Sequence, residues 1–220
     1  MAKLKWDQTG ERLYETGTKR GVLYQQVEGA YPTGVAWNGL TAVRQSPDGA
    51  EETPLFADDI KYLSMFSAEN FKGTIEAYTY PEEFAECDGS KELAVGLFVG
   101  QQSRSSFGLS YITTVGNDTM GNTYGEKLHV IYNAKVSPSE RSYETINDTP
   151  NAITFSWEFS TTPVDVEIEG VLPSAYFVVD STKMPAAQYK AIKDVLHGTE
   201  ALAAKLPTPE ELIALATAGA

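Results

Sequence analysis

Side chains able to do acid–base, nucleophilic or metal chemistry are few in this sequence, and they are scattered. There are two histidines, His129 and His197, and neither has a second His or Cys at the spacing a zinc site needs. The single cysteine, Cys87, stands between Glu86 and Asp88, and flanking carboxylates raise a thiol pKa, the wrong direction for a nucleophile. Asp58 with Asp59, and Glu82 with Glu83 and Glu86, are neighbours in sequence, whereas glycoside hydrolysis needs two carboxyls held across a cleft. Glu76 and Glu158 are the exception, because both project from the polar faces of strand-like segments. They are either a general acid/base pair or part of a wet surface shared with Thr154 and Ser156. The stretch GNDTMGNTYG (116–125) lacks the acidic ladder and closing Glu of a calcium loop. No phosphate-cradling glycine loop precedes a helix, and no Gly-x-Ser-x-Gly occurs. The expectation is no catalytic residue, no cofactor and no metal.

The elements that would position these groups read mostly as strands. In ITFSWEFS (153–160), Ile153, Phe155, Trp157 and Phe159 alternate with Thr154, Ser156, Glu158 and Ser160, giving an apolar face and a wet one. Gly21–Gly29, Gly34–Val43, Phe71–Tyr80, Ser103–Gly116, Glu126–Val136 and Ser174–Ser181 read as further strands. In Glu126–Val136 the apolar face is Leu128, Val130, Tyr132, Ala134 and Val136, which puts His129 on the polar side. Pro81–Gly89 reads as one or two helical turns. Helical spacing appears near the end: Pro185–Gly198 carries the stripe Tyr189, Ile192, Val195, Leu196, and Thr208–Ala216 opens with a Thr208/Glu211 capping box and Pro209. The sum is a mainly β, antiparallel sandwich or barrel-like domain with one or two flanking C-terminal helices. Residues 1–20 read as an arm, 21–200 as the domain and 201–220 as a C-terminal arm with a short helix.

Between them, Arg44–Asp59 reads as a long connection without structure, carrying Asp48, Glu51, Glu52, Asp58 and Asp59. Loops of that length are uncommon unless they bind something. This one is expected to reach a neighbouring subunit, and removing Pro47–Thr53 is expected to leave a soluble monomer that no longer polymerises.

The chain has 220 residues, 42% of them hydrophobic, and a formal charge of −13. Such a balance repels nucleic-acid phosphates. One cysteine excludes an internal disulfide and fits a reducing compartment. No apolar stretch follows the early lysines, which argues against a secretory signal, and LAVGLFVG (93–100) is too short to span a bilayer.

The blocks GAYPTGVAWNGLTAV, IEAYTYPEEFAECDGS, GNDTMGNTYGEKLHVIYNAKVSPSE and AITFSWEFSTTPVDV resemble the major tail protein (tail tube protein) of siphovirus-type bacteriophages with long, non-contractile tails. The resemblance runs from about Gly21 to LPTPEELI. It implies a tail tube fold assembled as stacked hexameric rings, a structural virion protein rather than an enzyme. It also implies a conduit through which DNA is ejected without specific binding. The implied partners are other copies of the chain, the tape measure protein, tail assembly chaperones, and the distal tail and tail terminator proteins. The implied locations are the virion tail and, during assembly, the host cytoplasm. A decoration or head-completion protein is the nearest alternative. A carbohydrate-binding sandwich using Tyr78, Tyr80, Tyr124 or Tyr143 as platforms, and a hydrolase using Glu76 and Glu158, are the others.

Overall fold

The computed structural model describes residues 3–146, 148 and 151–218. In chain order the elements are β1 (Leu13–Gln25), β2 (Gly34–Trp37), β3 (Leu40–Gln45), β4 (Asp48–Gly49), β5 (Glu52–Ala57), β6 (Ile60–Phe66), β7 (Glu69–Asn70) and β8 (Lys72–Ala77). After these come α1 (Phe84–Cys87), β9 (Lys91–Ala94), β10 (Leu97–Val99), β11 (Phe107–Asn117), β12 (Gly121–Val136), β13 (Phe155–Thr161), β14 (Tyr176–Asp180), α2 (Ala186–His197) and α3 (Pro209–Thr217). One eight-stranded antiparallel sheet has the order β2-β1-β11-β12-β13-β8-β3, with β14 also pairing β12. Three two-stranded sheets, β4–β7, β5–β6 and β9–β10, stand apart from it.

The main body is therefore a single curled sheet rather than two sheets packed face to face, and it does not close into a barrel. The curl brings β3 back beside β1 without hydrogen-bonding it. At Gly21 a Cβ would sit 2.7 Å from Leu40 Cδ2, so only glycine lets the two strands approach this closely.

Two cores result, one on each side of the sheet. Inside the curl, Leu23, Trp37, Ile75, Phe107, Leu109, Ile131, Trp157 and Phe159 close around Phe84 of α1. Phe84 meets Trp37, Trp157 and Phe107 with ring centroids 4.6, 5.2 and 5.5 Å away, in the tilted and edge-on geometries that aromatic quadrupoles favour. On the outer side, α2 and α3 cover Val22, Tyr24, Ile112, Leu128, Val130 and Tyr132 through Tyr189, Ile192, Leu196 and Leu212. Tyr24 fixes this layer by donating to the Leu196 carbonyl at 2.7 Å. The capping box of α3 forms as expected: Glu211 N–H donates to Thr208 Oγ1 at 3.3 Å.

Strands β11 and β12 are thus buried on both faces, and simple alternation fails there. Leu128, Val130 and Tyr132 face the helices, but Ala134 and Val136 lie inside the curl with Ile131. The switch occurs at Asn133, whose φ of +48° marks a bulge where the register against β11 shifts. One extra residue exchanges the faces of everything beyond it.

The ends also differ from expectation. The expected N-terminal arm begins pairing already at Leu13, opposite Asn117. In the C-terminal segment, Leu206 and Leu212 are buried in the outer core. No helix of the described residues is long and apolar enough to cross a membrane.

Candidate functional site

At the open end of the curl, five strands place polar side chains in one cleft. His129 (β12) is 6% exposed, so it is not on a wet face. Its ring stacks on Tyr111 at 4.6 Å. Thr113 donates to Glu15 at 2.6 Å, so the 2.8 Å contact between Thr113 and His129 Nε2 is assigned as donation from the ring. Nδ1 then accepts from the Tyr176 hydroxyl at 2.6 Å. Gln45, from the far edge strand β3, donates to both Tyr111 and Tyr176. Burial lowers the His129 pKa; Glu15 opposes that shift and Lys127 adds to it. Burial also raises Tyr111 and Tyr176. The arrangement looks like a relay, and both ring nitrogens of His129 have a hydrogen-bond partner in it. Its physical effect is to tie β1, β3, β11, β12 and β14 together where the sheet fails to close.

A second hub is Glu126, which accepts from Lys193 at 2.7 Å and from Lys19 at 2.9 Å. Burial alone would raise its pKa, but the two lysines outweigh burial and hold it at about 2. The native carboxylate thus resists a proton that the unfolded chain takes up near 4.5, so its stabilisation is lost as pH falls from 4.5 toward about 2. His129 and His197 are both lowered by burial, so stability also falls as pH drops below the ordinary histidine value of 6.5. Glu126→Gln is expected to cost about 1–2 kcal/mol at neutral pH and to flatten the acid limb below 4.5. Urea unfolding of both proteins across that pH range measures it.

The outer surfaces of β13, β8 and β3 are not covered by the helices. Register places Ser156 opposite Glu76 and Glu158 opposite Thr74 on this side, while Trp157 and Phe159 point into the curl. Glu76, Ser156 and Glu158 thus share a wet face. Thr154 lies one residue before β13, and Ile153, expected in the core, is 39% exposed. Glu76 is not poised as an acid/base partner of Glu158, because Arg44 grips it with two bonds of 2.9 and 3.2 Å. Lys72, on the same face, pairs with Asp48. The face is therefore mixed in charge.

The segment 44–70 is the largest departure from the sequence reading. It is not a loop but a protruding hairpin. β4 and β7 continue the β3–β8 ladder outward, and β5 and β6 extend beyond them. Asp58 and Asp59, with φ of +50° and +64°, form a two-residue turn of the mirror-image type that right-twisted hairpins prefer. Of the five acids expected to reach a neighbour, Asp48 and Glu52 are spent on Lys72 and Lys61 within the ribbon. Glu51, Asp58 and Asp59 stay exposed. The feature the sequence reading missed is apolar: Leu55, Phe56, Ile60, Tyr62, Leu63, Met65 and Phe66 are all exposed, with Phe56, Tyr62 and Phe66 at about 70%. None belongs to either core. The signal was present in LFADDIKYLSMF, two β-favouring runs separated by two residues that tolerate positive φ. A smaller hairpin, β9–β10, likewise exposes Leu93, Val95, Leu97 and Phe98.

The other candidates stay scattered. Cys87 is buried, and burial with Glu86 and Asp88 pushes its thiol up to about 12. No cluster of metal-binding type occurs among the described residues. Tyr78, Tyr124 and Tyr143 are exposed on separate elements, whereas Tyr80 packs edge-on against Phe155 and Trp157 and cannot serve as a platform. No family model and no curated protein matches the chain.

Proposed function

We propose that this chain is a structural subunit that polymerises with copies of itself into stacked rings forming a phage tail tube, an inert conduit for DNA. The observation that carries the reading is the β5–β6 hairpin. A two-stranded ribbon is marginal alone in water. This one holds seven large apolar side chains clear of both cores, spread over the two faces of the ribbon, and exposed apolar surface of that extent marks an interface. A tail tube fold with rings closed by such contacts also accords with the sequence blocks quoted above. Tape measure, chaperone, distal tail and terminator proteins would then be its partners, the virion its location, and catalysis no part of its role.

The wet face of β13, β8 and β3 suits either a lumen or a neighbouring subunit. As a lumen it does not hold DNA by an excess of cations. Duplex DNA, with one charge per about 1.7 Å, is held when free Lys and Arg displace counterions. Here Arg44 and Lys72 are already neutralised by Glu76 and Asp48. Negative-stain microscopy of concentrated protein tests the reading: tubes are expected, and permanently single particles would overturn it. Assembled protein is further expected to show no duplex binding at about 50 mM salt, where a salt-sensitive micromolar affinity would contradict an inert wall.

A further inference from the structure

A cleft of about 470 Å³ opens between the bulged middle of β1, the β2–β3 turn and the end of α2. Val22, Trp37 and Leu40 line it together with Lys19, Arg20 and His197. Two register shifts in β1 flank this point, and Arg20 sits at φ +53°, a conformation held by the bulge. Lys19 and the neighbouring Lys193 share one carboxylate, Glu126, and Arg20 has no carboxylate partner among the described residues. Three cations against one anion leave a positive spot in a chain of charge −13. His197 Nε2 is buried there without a hydrogen-bond partner.

The hairpin tip has the complementary character. Asp58 and Asp59 form its turn, flanked by exposed Phe56 and Ile60. The tip cannot serve its own cleft. The cleft lies at the Leu40 end of β3, and the hairpin leaves from the Gln45 end and extends β5 by about 20 Å. Anionic tip and cationic cleft are therefore at opposite ends of the same strand, the layout of a head-to-tail contact between copies.

We infer that the Asp58–Asp59 tip of one copy seats in the Lys19–Arg20–His197 cleft of the next. Its apolar flanks meet the apolar lining of the cleft, and its carboxylates meet the Arg20 guanidinium, which no carboxylate among the described residues neutralises. The inference rests on the self-assembly reading and names one contact within it.

Charge reversal tests it. Asp58→Lys/Asp59→Lys and, separately, Arg20→Glu are expected to raise the concentration needed for assembly at least about tenfold each, since like charges then face one another. An equimolar mixture of the two proteins is expected to assemble near the wild-type concentration, because each variant's tip then matches the other's cleft. Unchanged melting temperatures show that both variants fold. Sedimentation of the same samples reads pairwise association whether or not tubes form. Absence of tubes from the wild type counts against the tube reading. Reversed tips that associate normally, or a mixture no better than its components, overturn the tip-in-cleft contact.

Discussion

Replacing Phe56, Tyr62 and Phe66 with serine is expected to leave a folded monomer that no longer polymerises. The three side chains are each about 70% exposed and belong to neither core, so the melting temperature should scarcely move. Surface substitutions away from packing features usually change stability by less than about 0.5 kcal/mol. An interface that buries them loses much more. Burying an aromatic side chain contributes about 1.5–3 kcal/mol, only part of which survives the cost of association. Three such losses, discounted to about 4 kcal/mol, raise the assembly concentration roughly a thousandfold. Microscopy and sedimentation of the variant beside the wild type check both halves. Tubes at the wild-type concentration would remove the hairpin from the interface. Substitution is a cleaner test than removing Pro47–Thr53. That deletion takes out β4 and the start of β5, breaking the Asp48–Asn70 and Glu52–Phe66 pairings on which the ribbon stands.

Trp157→Ala is expected to cost about 3–5 kcal/mol, enough to unfold a marginal domain. Trp157 is 1% exposed and touches Trp37, Tyr80, Phe84 and Phe155 at ring separations of 5.8, 5.4, 5.2 and 5.7 Å. Alanine leaves a cavity that these rigid rings cannot fill. Trp157→Phe separates cavity from chemistry. The indole Nε1 has no hydrogen-bond partner, so the phenyl ring relieves an unsatisfied donor while surrendering some volume. Its cost should stay near about 1–2 kcal/mol. Urea unfolding gives both numbers, and equal losses would refute a cavity as the source of the larger one.

Alternation located β8 and β13 and the faces they present, because each has one dry side and one wet side, and a period of two then reads directly as burial. Amphipathic spacing and local capping residues marked α2 and α3 for the same reason. The central strands were less legible. β11 and β12 are dry on both faces, so no periodicity distinguishes the sides, and the bulge at Asn133 exchanges them midway. The face of His129, opposite Leu128 and Val130, was legible, but its burial was not, nor was the cleft in which Gln45, Tyr111 and Tyr176 meet across strands distant in sequence. The hairpin was less legible because its apolar side chains face solvent rather than a core, so no one-sided burial pattern marks its strands.

Composition, spacing and capping, all local quantities, determined by themselves that this is an antiparallel β protein with C-terminal helices, few reactive side chains and a strongly negative charge. Tertiary structure alone decided three things. The sheet curls without closing, Glu76 is neutralised by Arg44, and the acidic tip and cationic cleft stand at opposite ends of β3. Each depends on which distant residues become neighbours, and that is settled by how strands twist and pair across the whole sheet.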